Sequence, residues 1–183
     1  MLDPAMVFLN HGSFGALPRR VQAEQLRIAS IIEQDSVRFF VELIEPMLDE
    51  ARQALSGFVG CDPEGFAFVP NASTGVATVI KSLRFAPGDE VIACTHEYNA
   101  CVNSARYVAE RTGARLVYVP LAFPLPRDAA AAADLITRTL TGAITPRTKL
   151  LLLSHITSPT GFIMPVERII RDFAALGIDT LLD

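Results

Sequence analysis

The sequence predicts an α/β fold: a three-layer α/β/α arrangement around a mostly parallel sheet that is only partly built. Three observations predict it. Short apolar runs alternate with helical segments of roughly 10–15 residues, the pattern of strand–helix–strand crossovers. The runs are almost continuously apolar, "LLLL" at 150–153 above all, as expected of strands covered on both faces. Half of the 183 residues are hydrophobic, enough to fill a sizeable buried sheet.

Taken in order, "VFLN" leads into a long helix predicted from Pro18 to Ile44, with Ile28, Ile31, Ile32 and Phe39 near helical spacing and Pro46 as its break. A second helix is expected from Met47 to Val59, stopped by Gly60. "GFAFVP" reads as a strand, after which Asn71 caps a helix running from Ser73 to Leu83. "PGDE" is a turn and "VIACT" a strand. A helix from Ala100 to Arg111 stops at Gly113, and "RLVYVP" is the next strand. The loop "AFPLPRD" precedes a helix from Ala129 to Leu140, and "KLLLLSH" is again a strand. "PVERIIRDFAALG" and "IDTLL" close the pattern as helix and strand. Residues 1–45 are expected to form an N-terminal segment and helix, and residues 46–183 the first part of a larger domain.

Composition excludes several function classes. A net charge of −4 argues against nucleic acid or an acidic membrane surface as the main partner. No stretch approaches the roughly 18 uncharged apolar residues of a membrane span, and the start has no basic segment followed by an apolar one. A cytoplasmic protein is the expectation. The three cysteines, Cys61, Cys94 and Cys101, contain no C-x-x-C pair, and Cys94 with His96 lacks a second ligand pair, so no metal site is expected.

Ligands of such sheets bind outside the carboxyl ends of the strands. Four polar segments follow the predicted strands. "NASTG" offers Asn71, Ser73, Thr74 and Gly75 at a helix start, either as an ordinary cap or as a cradle for an anion. It matches neither a P-loop nor a dinucleotide fingerprint. "THEYN" sets His96 beside Tyr98 and Asn99, an imidazole able to stack on a flat ring or carry a proton. "SHITSPTG" brings His155, Thr157, Ser158 and Thr160, which also read as a simple turn. Asp183 ends the last strand, and a carboxylate there suits the protonated pyridine nitrogen of pyridoxal phosphate.

Together, "FLNHGSFGALP", "NASTG", "THEYNA", "ITSPTG" and the terminal "LLD" resemble the class V aminotransferase family, and the first and third most resemble its isopenicillin N epimerase-like branch. The resemblance runs along essentially the whole chain. It implies the large domain of a fold type I enzyme that uses pyridoxal 5'-phosphate, acts on a small amino-acid-like substrate and works as a homodimer without nucleic acid or membrane. By position it implies that Ser73 and Thr74 hold the cofactor phosphate, His96 stacks on the ring and Asp183 pairs with the ring nitrogen. Asn10, His11 and Gly12 match the segment near the substrate's carboxylate. Ser158 stands where desulfurase relatives place an asparagine against the ring hydroxyl, so Ser158 or Thr157 is expected to make that contact.

The resemblance also implies a Schiff-base lysine. Only Lys81 and Lys149 are present, one late in a helix and one at the far end of a strand, so the catalytic lysine is expected beyond Asp183 and no catalytic residue lies within the chain. On this reading the chain is the N-terminal portion of a longer enzyme, inactive and poorly soluble by itself. Epimerisation, transamination and the desulfurase or C–S lyase reactions share one scaffold, and the fold does not choose among them. A non-catalytic relic or binding module is the reading from another class.

Overall fold

The computed structural model describes residues 2–183. They divide into two compact units, one ending at Phe68 and the other spanning Val69–Asp183, and each is described by itself.

The first unit is helical. Its elements are α1 (His11–Phe14), α2 (Arg19–Gln34), α3 (Ser36–Arg38), a π turn at Phe39–Leu43 and α4 (Ile44–Val59). The helix predicted as far as Ile44 therefore ends ten residues early, at Gln34. Asp35 stops it by leaving helical backbone (φ −157°) and restarting the chain, its carboxylate accepting the Arg38 N–H at 2.9 Å. Pro46 does not break the chain there; it occupies the first turn of α4. Proline has no N–H and crowds the carbonyl four residues back. The backbone answers with a wider turn just before it, in which the Ile44 N–H reaches the Phe39 carbonyl. Gly60 closes α4 in the left-handed region (φ 75°), as expected.

"GFAFVP" is a second correction. Pro63–Gly65 form a short 3-10 turn, and the backbone beyond it is extended at Phe66 but belongs to no ladder. A strand is defined by its partner, and among the described residues this segment has none.

The second unit contains α5 (Ala72–Ser82), β1 (Glu90–Cys94), α6 (Asn99–Thr112), β2 (Arg115–Val119), α7 (Ala129–Thr141), β3 (Thr148–Leu153), α8 (Val166–Ala174) and β4 (Asp179–Leu182). The four strands are parallel, in the order β2-β1-β3-β4. Alternation along each strand feeds two cores. Val91, Ala93, Leu150 and Leu152 pack with Val76 and Ile80 of α5 and Cys101, Ala105 and Val108 of α6. Ile92, Cys94, Leu151 and Leu153 pack with Ile136 and Leu140 of α7 and Ile169 and Phe173 of α8. These two helix layers on opposite faces make the expected three-layer arrangement. Gly113 ends α6 with φ 76°, where an added Cβ meets the Pro87 ring at 3.2 Å.

At the amino ends of the strands, buried Glu90 fastens the sheet together. It accepts hydrogen bonds from the Thr145 hydroxyl at 2.6 Å, the Thr148 hydroxyl at 3.4 Å and the Arg115 guanidinium at 2.5 Å. Hydrogen bonding to Thr145, then to Arg115 with its charge, holds the carboxyl below the ordinary range in spite of burial. Among the described residues no helix is long and apolar enough to cross a membrane.

Candidate functional site

After β1 the chain leaves through α6 to β2 on one side, and after β3 it leaves through α8 to β4 on the other. The point where the winding reverses opens a crevice at the carboxyl ends of β1 and β3, the usual ligand position in such sheets. Register aligns what borders it. Ala93 pairs with Leu152 and Leu153 with Leu182, so Thr95, Ser154 and Asp183 come to one level, one residue past the assigned strands. Backbone bonds carry the ladder that far: Asp183 N–H to Leu153 O and His155 N–H to Asp183 O, each 2.8 Å. With β3 between them, the chains bearing His96 and Asp183 leave the sheet about 10 Å apart.

On the β2 side, the Thr95 N–H reaches Val119 O at 3.0 Å and Thr95 Oγ1 accepts the Leu121 N–H at 3.1 Å. His96 Nε2 lies 3.3 Å from Leu121 O, which selects the tautomer with the proton on Nε2. The ring rests against Phe123, centroids 4.3 Å apart. Its Nδ1 is buried without a partner among the described residues.

On the β4 side, the half-buried Asp183 carboxylate accepts the Cys101 thiol on Oδ2 at 3.2 Å. Burial, followed by the hydrogen bond to Asp183, pushes Cys101 up to about 12, so it stays a thiol and a donor. Between the two sides lies buried Glu97. Ser154 O–H donates to its Oε2 at 2.5 Å and Cys94 S–H to its Oε1 at 3.0 Å. Desolvation pushes this carboxyl up, and the nearby Asp183 charge adds to the effect.

Helix α5 runs back toward the amino end of β1, so its own N-terminus stands at the crevice end of the sheet. Asn71 caps it, accepting the Thr74 N–H at 2.8 Å. Ser73 and Thr74 lie in its first turn, their hydroxyls without partners among the described residues, at the positive end of the helix dipole. Thr157 is buried and committed to its own turn, bonded to the Thr160 hydroxyl at 2.7 Å and the Phe162 N–H at 2.9 Å. Exposed Ser158 makes no such bond, so of the two candidates for a ligand hydroxyl it is the free one. Asn10, His11 and Gly12 belong to the first unit, exposed at the start of α1.

Neither lysine stands at the crevice. Lys81 lies at the far end of α5 over the Tyr107 ring, and Lys149 is the second residue of β3, at its amino end. Among the described residues no cluster suited to a metal ion occurs.

His96 and Asp183 stand out in the sequence as site residues, whereas Glu97 and Cys101 do not. A glutamate in a polar loop looks like any solvated glutamate. The only hint was its place three residues after Cys94, at the end of an apolar strand.

The family model for Aminotransferase class-V matches residues 30–183. The isopenicillin N epimerase of Amycolatopsis lactamdurans is 32% identical over 100% of this chain and 45% of its own length. Two structures of C-DES each align with a TM-score of 0.84 at 23% identity, over 96% of this chain and 46% of theirs. One is the complex of this cystine C-S lyase with its product cysteine persulfide, the other a mutant with glycine covalently linked to the PLP cofactor. The chain thus spans less than half the length of these relatives.

Proposed function

The chain belongs to the class V aminotransferase family, and from that premise we propose that it is the N-terminal part of a cytoplasmic, homodimeric enzyme that uses pyridoxal 5'-phosphate to act at the α-carbon of an amino-acid-like substrate, in the manner of isopenicillin N epimerase. The observation that supports it best is the crevice at the winding reversal. The loop that carries His96 borders it on one side and the Asp183 carboxylate on the other, with a helix N-terminus at the same end.

These groups fit that cofactor. The Ser73 N–H and the hydroxyls of Ser73 and Thr74 suit a phosphate dianion, since donors and dipole all favour negative charge. His96 offers a flat ring already fixed by Leu121 and Phe123. Asp183 would hold a proton on a ring nitrogen, and Ser158 would supply a hydroxyl for the ring's oxygen substituent. When bound, the cofactor supplies an electron sink for charge developing at the α-carbon. Asn10, His11 and Gly12 are proposed to meet the substrate's carboxylate end. The amine that bonds the cofactor is proposed to lie beyond Asp183, because Lys81 and Lys149 stand away from the crevice.

The test is made on the full-length protein. Loaded with pyridoxal phosphate, it is expected to be yellow and to bleach with borohydride, the label appearing on a peptide beyond residue 183. A parallel screen for α-carbon epimerisation, amino transfer and sulfur release assigns the reaction; sulfur release alone would replace the epimerase reading with the C–S lyase one. Failure to take up the cofactor would overturn the proposal as a whole.

A further inference from the structure

Glu97 has no part in the roles assigned above, yet it is 5% exposed at the centre of the crevice. We propose that Glu97 is a positioning residue: its carboxyl group ties the loop carrying His96 to the end of β3 and thereby fixes where the imidazole stands across the crevice from Asp183. The inference rests on the reading that this crevice receives pyridoxal phosphate.

The loop after β1 has two sets of attachments. Toward β2 it is held by Thr95, through Val119 and Leu121, and by the His96 ring on Leu121 O. Toward β3 its side-chain tie is Glu97, through Ser154 Oγ at 2.5 Å. The second carboxyl oxygen turns back to Cys94 Sγ at 3.0 Å, and the Glu97 N–H reaches Cys94 O at 3.4 Å, which locks the side chain against the strand it leaves. A buried carboxyl is costly unless all its polar atoms are engaged. Here both oxygens are.

The groups facing Glu97 explain how it is tolerated. They are Cys94 at the end of β1, Ser154 after β3, Cys101 on α6 and Asp183 after β4. Among the described residues no cation pairs with it. In that company the Ser154 O–H donates to Oε2 and the Cys94 S–H to Oε1, and desolvation pushes the carboxyl up.

The experiment compares Glu97→Gln, Glu97→Ala and Ser154→Ala in the full-length protein. Its two readouts are the 15N shifts of the His96 ring in the cofactor-free protein and the dissociation constant for pyridoxal phosphate. A glutamine keeps the tie, its amide N–H donating to Ser154 Oγ as the hydroxyl turns and its oxygen accepting from Cys94, so both readouts should stay at wild-type values, within about threefold for the constant. The alanine should move the His96 shifts and weaken cofactor binding by roughly 10–100-fold, the usual effect of removing a residue that orients a contacting one. Ser154→Ala cuts the same tie from the β3 side and should move the His96 shifts in the same direction, a test that survives if the Glu97→Ala protein does not fold. Unchanged His96 shifts in Ser154→Ala and Glu97→Ala would overturn the proposal, as would a glutamine variant as impaired as the alanine. If the wild type takes up no cofactor, the reading of the crevice fails while the His96 shifts still decide the role of Glu97.

Discussion

Replacing Glu90 by glutamine tests whether the amino-terminal clamp, and not the crevice, sets the stability of the sheet. The carboxylate is 2% exposed and joins β1 to the Thr145 turn, to Thr148 of β3 and to Arg115 of β2. Each hydrogen bond to a charged group contributes about 1.5–3 kcal/mol, and a neutral acceptor about half of that. The Thr148 contact, at 3.4 Å, is long. The Arg115 side chain is 69% exposed, so water screens most of its share. What remains is a loss of about 1–2 kcal/mol for Glu90→Gln and, with the hydroxyls orphaned, about 2–4 kcal/mol for Glu90→Ala.

Urea unfolding measures this directly: the glutamine midpoint should fall by roughly 0.5–1 M. Because the folded carboxyl sits below its ordinary value, its contribution is complete above the unfolded pKa and fades as pH drops through the folded one. The gap between wild type and Glu90→Gln should therefore be widest near neutrality and close below about pH 4. Arg115→Gln should cost under about 1 kcal/mol. A gap that is absent at pH 7, or that persists unchanged into acid, would refute the reasoning. Cofactor binding should not change in Glu90→Gln, since the clamp lies at the opposite end of the strands.

Three further outcomes follow from the same geometry. Of the three thiols in the chain, Cys61 is exposed while Cys94 and Cys101 are buried and pushed up, so native alkylation should label Cys61 quickly and the other two only in denaturant. Asn71→Ala removes the cap from the Thr74 N–H and should cost about 1 kcal/mol by denaturant titration, where Asn71→Asp should keep it. Asp183→Asn in the full-length protein should abolish the activity while retaining much of the cofactor affinity, as kinetics and dialysis would show; full activity would remove Asp183 from the role proposed for it.

How much of this was legible varied with the kind of signal. "VIACT" and "KLLLLSH" are buried runs bounded by turns, and they became β1 and β3 with ends shifted by a residue or two. The Asn71 cap and the Gly60 and Gly113 stops act through local backbone chemistry and were readable. "GFAFVP" has the composition of a strand, but whether it joins a ladder depends on residues far away in sequence. The break at Asp35 was masked because apolar spacing continued across it to Phe39, while a carboxylate capping its own restart leaves little trace in composition. In the site, loops after strands could be located by topology alone. The Glu97–Ser154 and Cys101–Asp183 contacts span 57 and 82 residues and depend on how two strand ends are levelled, which no local pattern encodes.

The levelling of Thr95, Ser154 and Asp183 has a kinetic side. β1 and β3 are inner strands, whereas β4 joins at the flank and brings Asp183 with it. Until β4 docks, the Cys101 thiol has no carboxylate to meet. Ligand affinity needs β4 in place, so during refolding it should recover no earlier than the contact between residues 101 and 183 closes.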